Sequence, residues 1–293
     1  MSIKLVKQFE KYTQEFLEGL GLSYPYTPQV KKFKAVTKNK VLVLSDIHEP
    51  YTDDNLFKQV YEKDGDCDIV ILAGDIGDFY SKSRFKKTKL VSFKEELRSI
   101  FFRMEWLSSH FRNVKMMVGN HDNRPEKKFQ ELLGGDVDLL FLTENNLMKR
   151  LASFFDNIEL VGTTLKTSDN SYNIDLTHIW QFNDIIFTHA EISATQESAI
   201  LTRISQQLFR WKENIGLKPY KIIMQGHNHT ALIQHKGNEV WCLLPCLANS
   251  KSIGFGYIYS AKMIGNPPQV GYVTLFNDKG KTDINSIKLT IIQ

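Results

Sequence analysis

Five short apolar runs in this chain each stop at an aspartate, an asparagine or a histidine, and no other feature restricts the fold as much. "KVLVLSD" (40–46) ends at Asp46, with His48 just beyond. "DIVILAGD" (68–75) ends at Asp75, and Asp78 follows. "NVKMMVGN" (113–120) delivers Asn120, His121 and Asp122. "NDIIFTHA" (183–190) carries His189, and "YKIIMQGH" (220–227) ends at His227, two residues before His229. Short runs rich in Val, Ile and Leu, without polar alternation, read as strands buried on both faces. Helical periods fill the gaps, at 55–63 and 92–110 between the first three runs and at 194–214 between the last two. Strands alternating with helices predict an α/β domain.

The rest of the chain extends that plan. "YNIDLTHIWQFNDIIFTH" (172–189) alternates up to Phe182 and then reaches Asn183-Asp184, which predicts a hairpin. The runs "EVWCLLPC", "QVGYVTLFN" and "SIKLTII" fit a second sheet drawn mainly from the C-terminal half. Near the N-terminus, Leu5, Phe9, Tyr12, Phe16 and Leu20 recur at helical spacing until "GLSYPYTPQ" breaks the pattern. Residues 1–39 are therefore expected to form a helix and an extended arm, and 40–293 the main domain.

Composition excludes several classes. Of 293 residues, 42% are hydrophobic and 24% charged, an ordinary globular balance with ample length for a core. No apolar run approaches the roughly 20 residues that span a bilayer. The first residues lack a signal-peptide pattern, so a cytoplasmic protein without a membrane partner is expected. Three cysteines, Cys67, Cys242 and Cys246, are too few for a disulfide framework; Cys242 and Cys246, in "VWCLLPC", read as core, with a metal or redox role as the alternative. The net charge of +4 is mild, but Tyr80–Arg98 gathers Lys82, Arg84, Lys86, Lys87 and Lys89 around Tyr80 and Phe85. That segment is either a solvated face or a landing surface for phosphates.

The C-terminal ends of strands are where open α/β sheets bind ligands. Carboxylate, amide and imidazole groups together suit transition metals such as Mn²⁺, Fe²⁺ or Zn²⁺. Asp46, His48, Asp75, Asn120, His189, His227 and His229 make seven candidate ligands. Seven exceed what one ion with an open position can use, and they suit two ions sharing a carboxylate. Each motif alone would be a turn or a structural histidine, the reading kept for His110, His178 and His235. Five such ends in one chain are not explained that way.

The order D-x-H, G-D-x-x-D, G-N-H-D, a downstream His and G-H-x-H, running from Asp46 to His229, resembles the calcineurin-like metallophosphoesterase superfamily. The resemblance covers about the middle two-thirds of the chain. It implies a four-layer αββα sandwich, with two mixed sheets flanked by helices and a dinuclear metal centre at the strand ends. Carried over by residue, Asp46, His48 and His229 would hold the first ion and Asn120, His189 and His227 the second, with Asp75 bridging. Manganese is the expected metal, with iron, zinc or nickel as alternatives. His121 would serve the leaving group and Asp122 would orient it. Arg124, Arg84 and Tyr80 are candidates for binding substrate.

Glu49 after His48, Phe79-Tyr80 after Asp78, and Asp122 after His121 depart from the protein Ser/Thr phosphatase pattern. The context looks more like uncharacterised phosphoesterases of phage and bacterial genomes. The leading expectation is a phosphodiesterase for nucleic acid or a nucleotide. A phosphomonoesterase for a small nucleotide or a phosphoprotein, and a non-catalytic binding protein, are the alternatives.

Overall fold

The computed structural model describes residues 14–15, 17–21, 29–83, 91–132, 147–166, 173–176, 178–192, 194, 196–249 and 268–292. Strand β1 (Thr37–Leu44) shows why the sheets stack as they do. Its "VLVL" is buried throughout, but alternate residues face opposite ways. Val41 and Val43 enter one apolar cluster, Leu42 and Leu44 another.

Strands β2 (Cys67–Ala73), β3 (Val114–Met117) and β4 (Ile158–Leu160) continue from β1 in parallel. Between them run helices α1 (Asp54–Asp64), α2 (Phe93–His110), α3 (Arg124–Leu132) and α4 (Leu147–Ala152). A short hairpin pairs β5 (Thr163–Lys166) with β6 (Asn173–Leu176). The second sheet contains β7 (Ile179–Phe182), β8 (Ile185–Thr188), β9 (Ile222–Gln225), β10 (Leu232–Lys236) and β11 (Glu239–Leu243). Its order is β10-β11-β9-β8-β7, with helix α5 (Glu197–Trp211) between β8 and β9. Both sheets mix parallel and antiparallel pairs.

The layers follow from the clusters. Val41, Val43, Ile71 and Met117 of the first sheet meet Ile185, Phe187, Ile222, Met224 and Cys242 of the second. On the outer face of the first sheet, Leu42, Leu44, Leu72 and Met116 pack with Phe57, Ile100, Phe101, Met104 and Leu107 of α1 and α2. On the outer face of the second, Ile186, Ile223 and Trp241 pack with Ile200, Leu201, Ile204 and Leu208 of α5. This is the αββα sandwich. Local chemistry sets the helix starts: Asp53 caps α1, and Ser92 with Glu95 forms a capping box on α2.

One expectation fails. The last strands, β12 (Gly271–Asp278), β13 (Lys281–Thr282) and β14 (Lys288–Ile291), do not build the second sheet. β12 pairs antiparallel with β1 and completes the first. Its Val273 and Leu275 fill the cluster between the sheets, a place both sheets could have offered to an apolar strand. The hairpin at Asn183-Asp184 forms as expected, joining β7 to β8. Of the N-terminal segment, Leu17 and Leu20 are buried in the α1–α2 cluster. All three cysteines are buried and free.

Candidate metal centre

The ends of β1, β2 and β3 from one sheet and of β8 and β9 from the other converge. Just past these ends the backbone leaves the extended region abruptly. Asp46, His48, Asp75, His227 and His229 all have positive φ, between 52° and 75°. Non-glycine residues seldom adopt that region, although Asp and His tolerate it better than most. The turns are held by pairing between loops: Asp46 N–H donates to Gly74 O at 3.1 Å and His48 N–H to Asp75 O at 3.0 Å. Glycine is required where loops touch side chains. A Cβ on Gly119 would lie 2.1 Å from Asp75 Oδ1, and one on Gly226 would lie 2.6 Å from His189 Nδ1.

The seven candidate ligands come together as two groups. His229 Nε2 lies 3.0 Å from Asp46 Oδ1 and 3.1 Å from His48 Nε2. In the second group, His189 Nε2 lies 3.0 Å from Asp75 Oδ2, and His227 Nδ1 lies 3.0 Å from Asn120 Oδ1. Asp75 Oδ2 also lies 3.7 Å from His48 Nε2, so one oxygen faces both groups. Asp46, His48 and His229, and likewise Asp75, His189 and His227, each bring their donor atoms within 4.8 Å of one another.

These donors fit metal ions. Asp75 Oδ2 and His189 Nε2 are buried and make no hydrogen bond, even though they face each other. Two donors each about 2.1 Å from one ion, at right angles, stand roughly 3 Å apart. The other atoms of the same side chains are already committed. His121 N–H donates to Asp75 Oδ1 at 2.8 Å, and His189 Nδ1 donates to Ala73 O at 2.7 Å, which leaves Nε2 as the donor atom for a metal. Ser45 Oγ and the His227 N–H both donate to the Asp46 carboxylate.

Electrostatics describe the same need for positive charge. Burial works against the charged form of Asp46 and Asp75, but the surrounding histidines hold both carboxyls well below the usual range. Burial likewise opposes protonation of His48 and His189. The carboxylates around them override it, Asp46 and Asp78 for His48, Asp75 and Asp46 for His189, raising these rings to about 10 and about 9. His227 is half-buried, and desolvation together with the neighbouring His189 lowers its ring to about 4.

Next to the two groups, His121 is buried and its Nδ1 lies 2.5 Å from Asp78 Oδ1. Arg124 donates from Nη2 to His121 Nε2 at 2.8 Å and from Nη1 to the Asp78 carbonyl at 2.8 Å. The expectation that Asp122 orients His121 is therefore corrected: the partner is Asp78. Asp122 instead accepts three backbone N–H groups, from Ile76, Gly77 and Gly119, and staples the second and third strand-end loops together. Consecutive residues on a turn point apart, which is why adjacency misled. The second aspartate of G-D-x-x-D was the signal for Asp78.

Tyr80 is also corrected. It is buried, edge-on to Tyr51, and offers no open face to a base. Arg84 lies outside the described residues. His110 stacks on Trp106, and His235 is exposed on β10.

The sequence profile described as calcineurin-like phosphoesterase matches residues 39–260. No curated protein matches the chain. Among solved structures, Vps29 of Chaetomium thermophilum is 10% identical, with a TM-score of 0.40, over 86% of this chain and 95% of that one. A Streptococcus pneumoniae protein described as a predicted phosphoesterase is 15% identical, with a TM-score of 0.32, over 88% and 100%. An archaeal phosphodiesterase is 13% identical, with a TM-score of 0.35, over 86% and 99%. No helix among the described residues is long and apolar enough to cross a membrane.

Proposed function

The chain belongs to the calcineurin-like phosphoesterase family, and we propose that it is a dinuclear-metal-dependent phosphodiesterase acting on nucleic acid or a nucleotide. One observation carries the two-ion reading. Asp75 Oδ2 lies 3.0 Å from His189 Nε2 and 3.7 Å from His48 Nε2, with no hydrogen bond of its own. An oxygen addressed to both donor groups suits a bridge between two ions. In this reading Asp46, His48 and His229 hold one ion, Asn120, His189 and His227 the other, and Asp75 both. Manganese is the proposed metal, and iron, zinc or nickel could use the same donors.

Bound ions would supply Lewis acidity and a water acidic enough to attack phosphorus near neutral pH. The chain's own residues do the rest. His121, held through Nδ1 by Asp78, presents Nε2 toward the leaving-group oxygen; burial holds this ring below the usual imidazole range, so Nε2, a bare acceptor beside Arg124, would first take a proton from the attacking water or solvent and then pass it to the leaving oxygen. Arg124 now covers that nitrogen. Turning to a substrate phosphate, which a guanidinium grips with two N–H groups, would uncover it. The preference for a diester on a nucleic-acid scaffold is supported by the basic segment of residues 80–98, since phosphate backbones attract such stretches.

The test compares initial rates on bis-p-nitrophenyl phosphate and p-nitrophenyl phosphate, with Mn²⁺ and with chelator. A chelator-sensitive preference for the diester is expected. A preference for the monoester would replace this reading with a nucleotide phosphatase, and hydrolysis of neither with any metal would point to a binding protein.

A further inference from the structure

Helix α3 starts immediately past His121. The Arg124 N–H donates to the His121 carbonyl at 3.0 Å, and the Lys127 N–H to the Asn123 carbonyl at 3.0 Å. Residues three apart share a helix face, about one turn along the axis. Arg124 commits its guanidinium to His121 and Asp78. Lys127, one turn on, sends its ammonium off its own helix, to 3.6 Å from Glu191 Oε1. Its neighbour Lys128 does the opposite and pairs within α3, with Glu131 at 2.9 Å.

Glu191 lies two residues past His189, and the chain around it is pinned. The Ala190 N–H donates to Gln225 Oε1 at 3.3 Å, and the Ala190 carbonyl accepts from Gln225 Nε2 at 2.9 Å. The Ile192 carbonyl accepts from Nδ2 of Asn228, the residue between His227 and His229, at 3.0 Å. The Lys127–Glu191 pair therefore joins the element that follows His121 to the segment that follows His189. Both side chains are more than half exposed, and a surface pair of that kind adds little to stability. Its position is what matters. A carboxylate fixed beside these histidines would repel a polyanion, and Lys127 cancels that charge while keeping an ammonium one turn beyond Arg124.

We propose that Lys127 is a specificity residue: it leaves Glu191 to bind the phosphate next to the scissile one, so that strands with successive phosphates are preferred to a single phosphodiester. The exchange is easy because the pair it breaks is weak and solvated. The two cations suit their tasks. A guanidinium fork grips the reacting phosphate with fixed geometry, whereas an ammonium, a point charge on a flexible stem, follows a flanking phosphate whose position varies. This assignment rests on the phosphodiesterase reading and narrows its substrate to a polynucleotide strand.

The experiment measures kcat/KM of the Mn²⁺-loaded full chain on thymidine dinucleotide, with one phosphate, and on the trinucleotide, with two, at about 50 mM salt and at about 200 mM. Wild type should prefer the trinucleotide. Lys127→Ala should lose about fivefold on the trinucleotide and stay within about twofold on the dinucleotide, because only the first offers a flanking phosphate. Its salt dependence on the trinucleotide should be shallower by about 0.7 in log–log slope, one contact's worth for a single strand. Glu191→Gln, which frees the ammonium, should shift the preference further toward the trinucleotide. Equal losses on both substrates for Lys127→Ala, or none on either, would overturn the assignment, as would a Glu191→Gln shift toward the dinucleotide. If wild type hydrolyses neither, the proposed function falls, and fluorescence anisotropy with labelled trinucleotide judges Lys127 without turnover. Weaker binding by Lys127→Ala, with the shallower salt slope, would uphold the contact. Equal binding by both chains, or by neither, would overturn it.

Discussion

A single methyl group at Gly119 should disable the centre without touching a ligand. Its carbon would lie 2.1 Å from Asp75 Oδ1, 2.4 Å from the Asp75 backbone nitrogen and 2.7 Å from Asp75 Cγ. Such carbons essentially never come within 3.0 Å of another heavy atom, so Asp75 must give way by about 1 Å. The backbone nitrogen cannot swing aside as a side-chain tip can. Nor is Oδ1 free to leave, since the His121 N–H holds it at 2.8 Å. The displacement therefore passes to Oδ2, the oxygen that faces both donor groups. Overpacking of this kind costs about 1–3 kcal/mol, a loss of roughly 2–12 °C in melting temperature for a chain of this size. The effect on the centre is larger, because a misplacement of about 1 Å costs about 10²-fold in rate. The assay is elemental analysis of the Mn²⁺-loaded, desalted protein beside its melting curve and its rate. Wild type should hold two ions per chain. Gly119→Ala should fold cooperatively, hold at most one and lose about 100-fold in rate. A folded variant with two ions and full activity would refute the close-approach argument.

Other perturbations separate the roles. His121→Ala should keep both ions and lose about 10²–10⁴-fold in rate; elemental analysis showing metal lost along with activity would contradict the acid role. Glu49→Ala should leave Arg103 buried, with the exposed Asp54 as its remaining carboxylate partner. Breaking a buried pair costs about 3–5 kcal/mol, and the remaining partner puts this case at the low end. A drop of at least about 6 °C in melting temperature is expected, and no drop would contradict it. Metal binding should expel protons. His48 and His189, raised to about 10 and about 9, carry protons at pH 7.5 in the metal-free chain, whereas a ligand ring must be neutral. Affinity should therefore rise with pH up to about pH 10, with about two protons released per chain at pH 7.5. Calorimetry in buffers of different ionisation enthalpy reads this directly, and a heat independent of buffer would count against it.

Particular residues show what the chain's pattern discloses. "VLVL" and "MM" announce strands buried on both faces, because a two-residue period with no polar partner leaves no face for water. That put β1, β2, β3, β8 and β9 in place, and with them the seven candidate ligands. The pairing of β12 with β1 was not legible. Apolar alternation states that a strand is covered but not by which neighbour, and these two lie more than two hundred residues apart. The partner of His121 was missed for a related reason. Asp122 is adjacent in sequence, yet its carboxylate turns to three backbone N–H groups, and Asp78 arrives from another loop. Tyr80 misled through its company: lysines nearby suggest exposure, but the ring packs against Tyr51.

The centre is costly to the fold that carries it. Five of its residues sit at positive φ, and three carboxylates, Asp46, Asp75 and Asp78, are buried close together. Backbone in that region costs of order 1–3 kcal/mol for an ordinary residue, and buried charge costs more unless it is paired. Among the described residues, the compensation in the metal-free chain is partial. His48 and His189 take up protons and balance part of the negative charge, while Asp75 Oδ2 and Asp78 Oδ2 stay without hydrogen bonds. The apolar clusters on both faces of both sheets are what allow the chain to fold with this deficit. A ligand that supplies positive charge to these atoms binds the folded chain and finds no such arrangement in the unfolded one. It must therefore stabilise the fold by mass action. The strain at the strand ends and the affinity of the centre are thus two sides of one free-energy balance, and relieving the first would be expected to weaken the second.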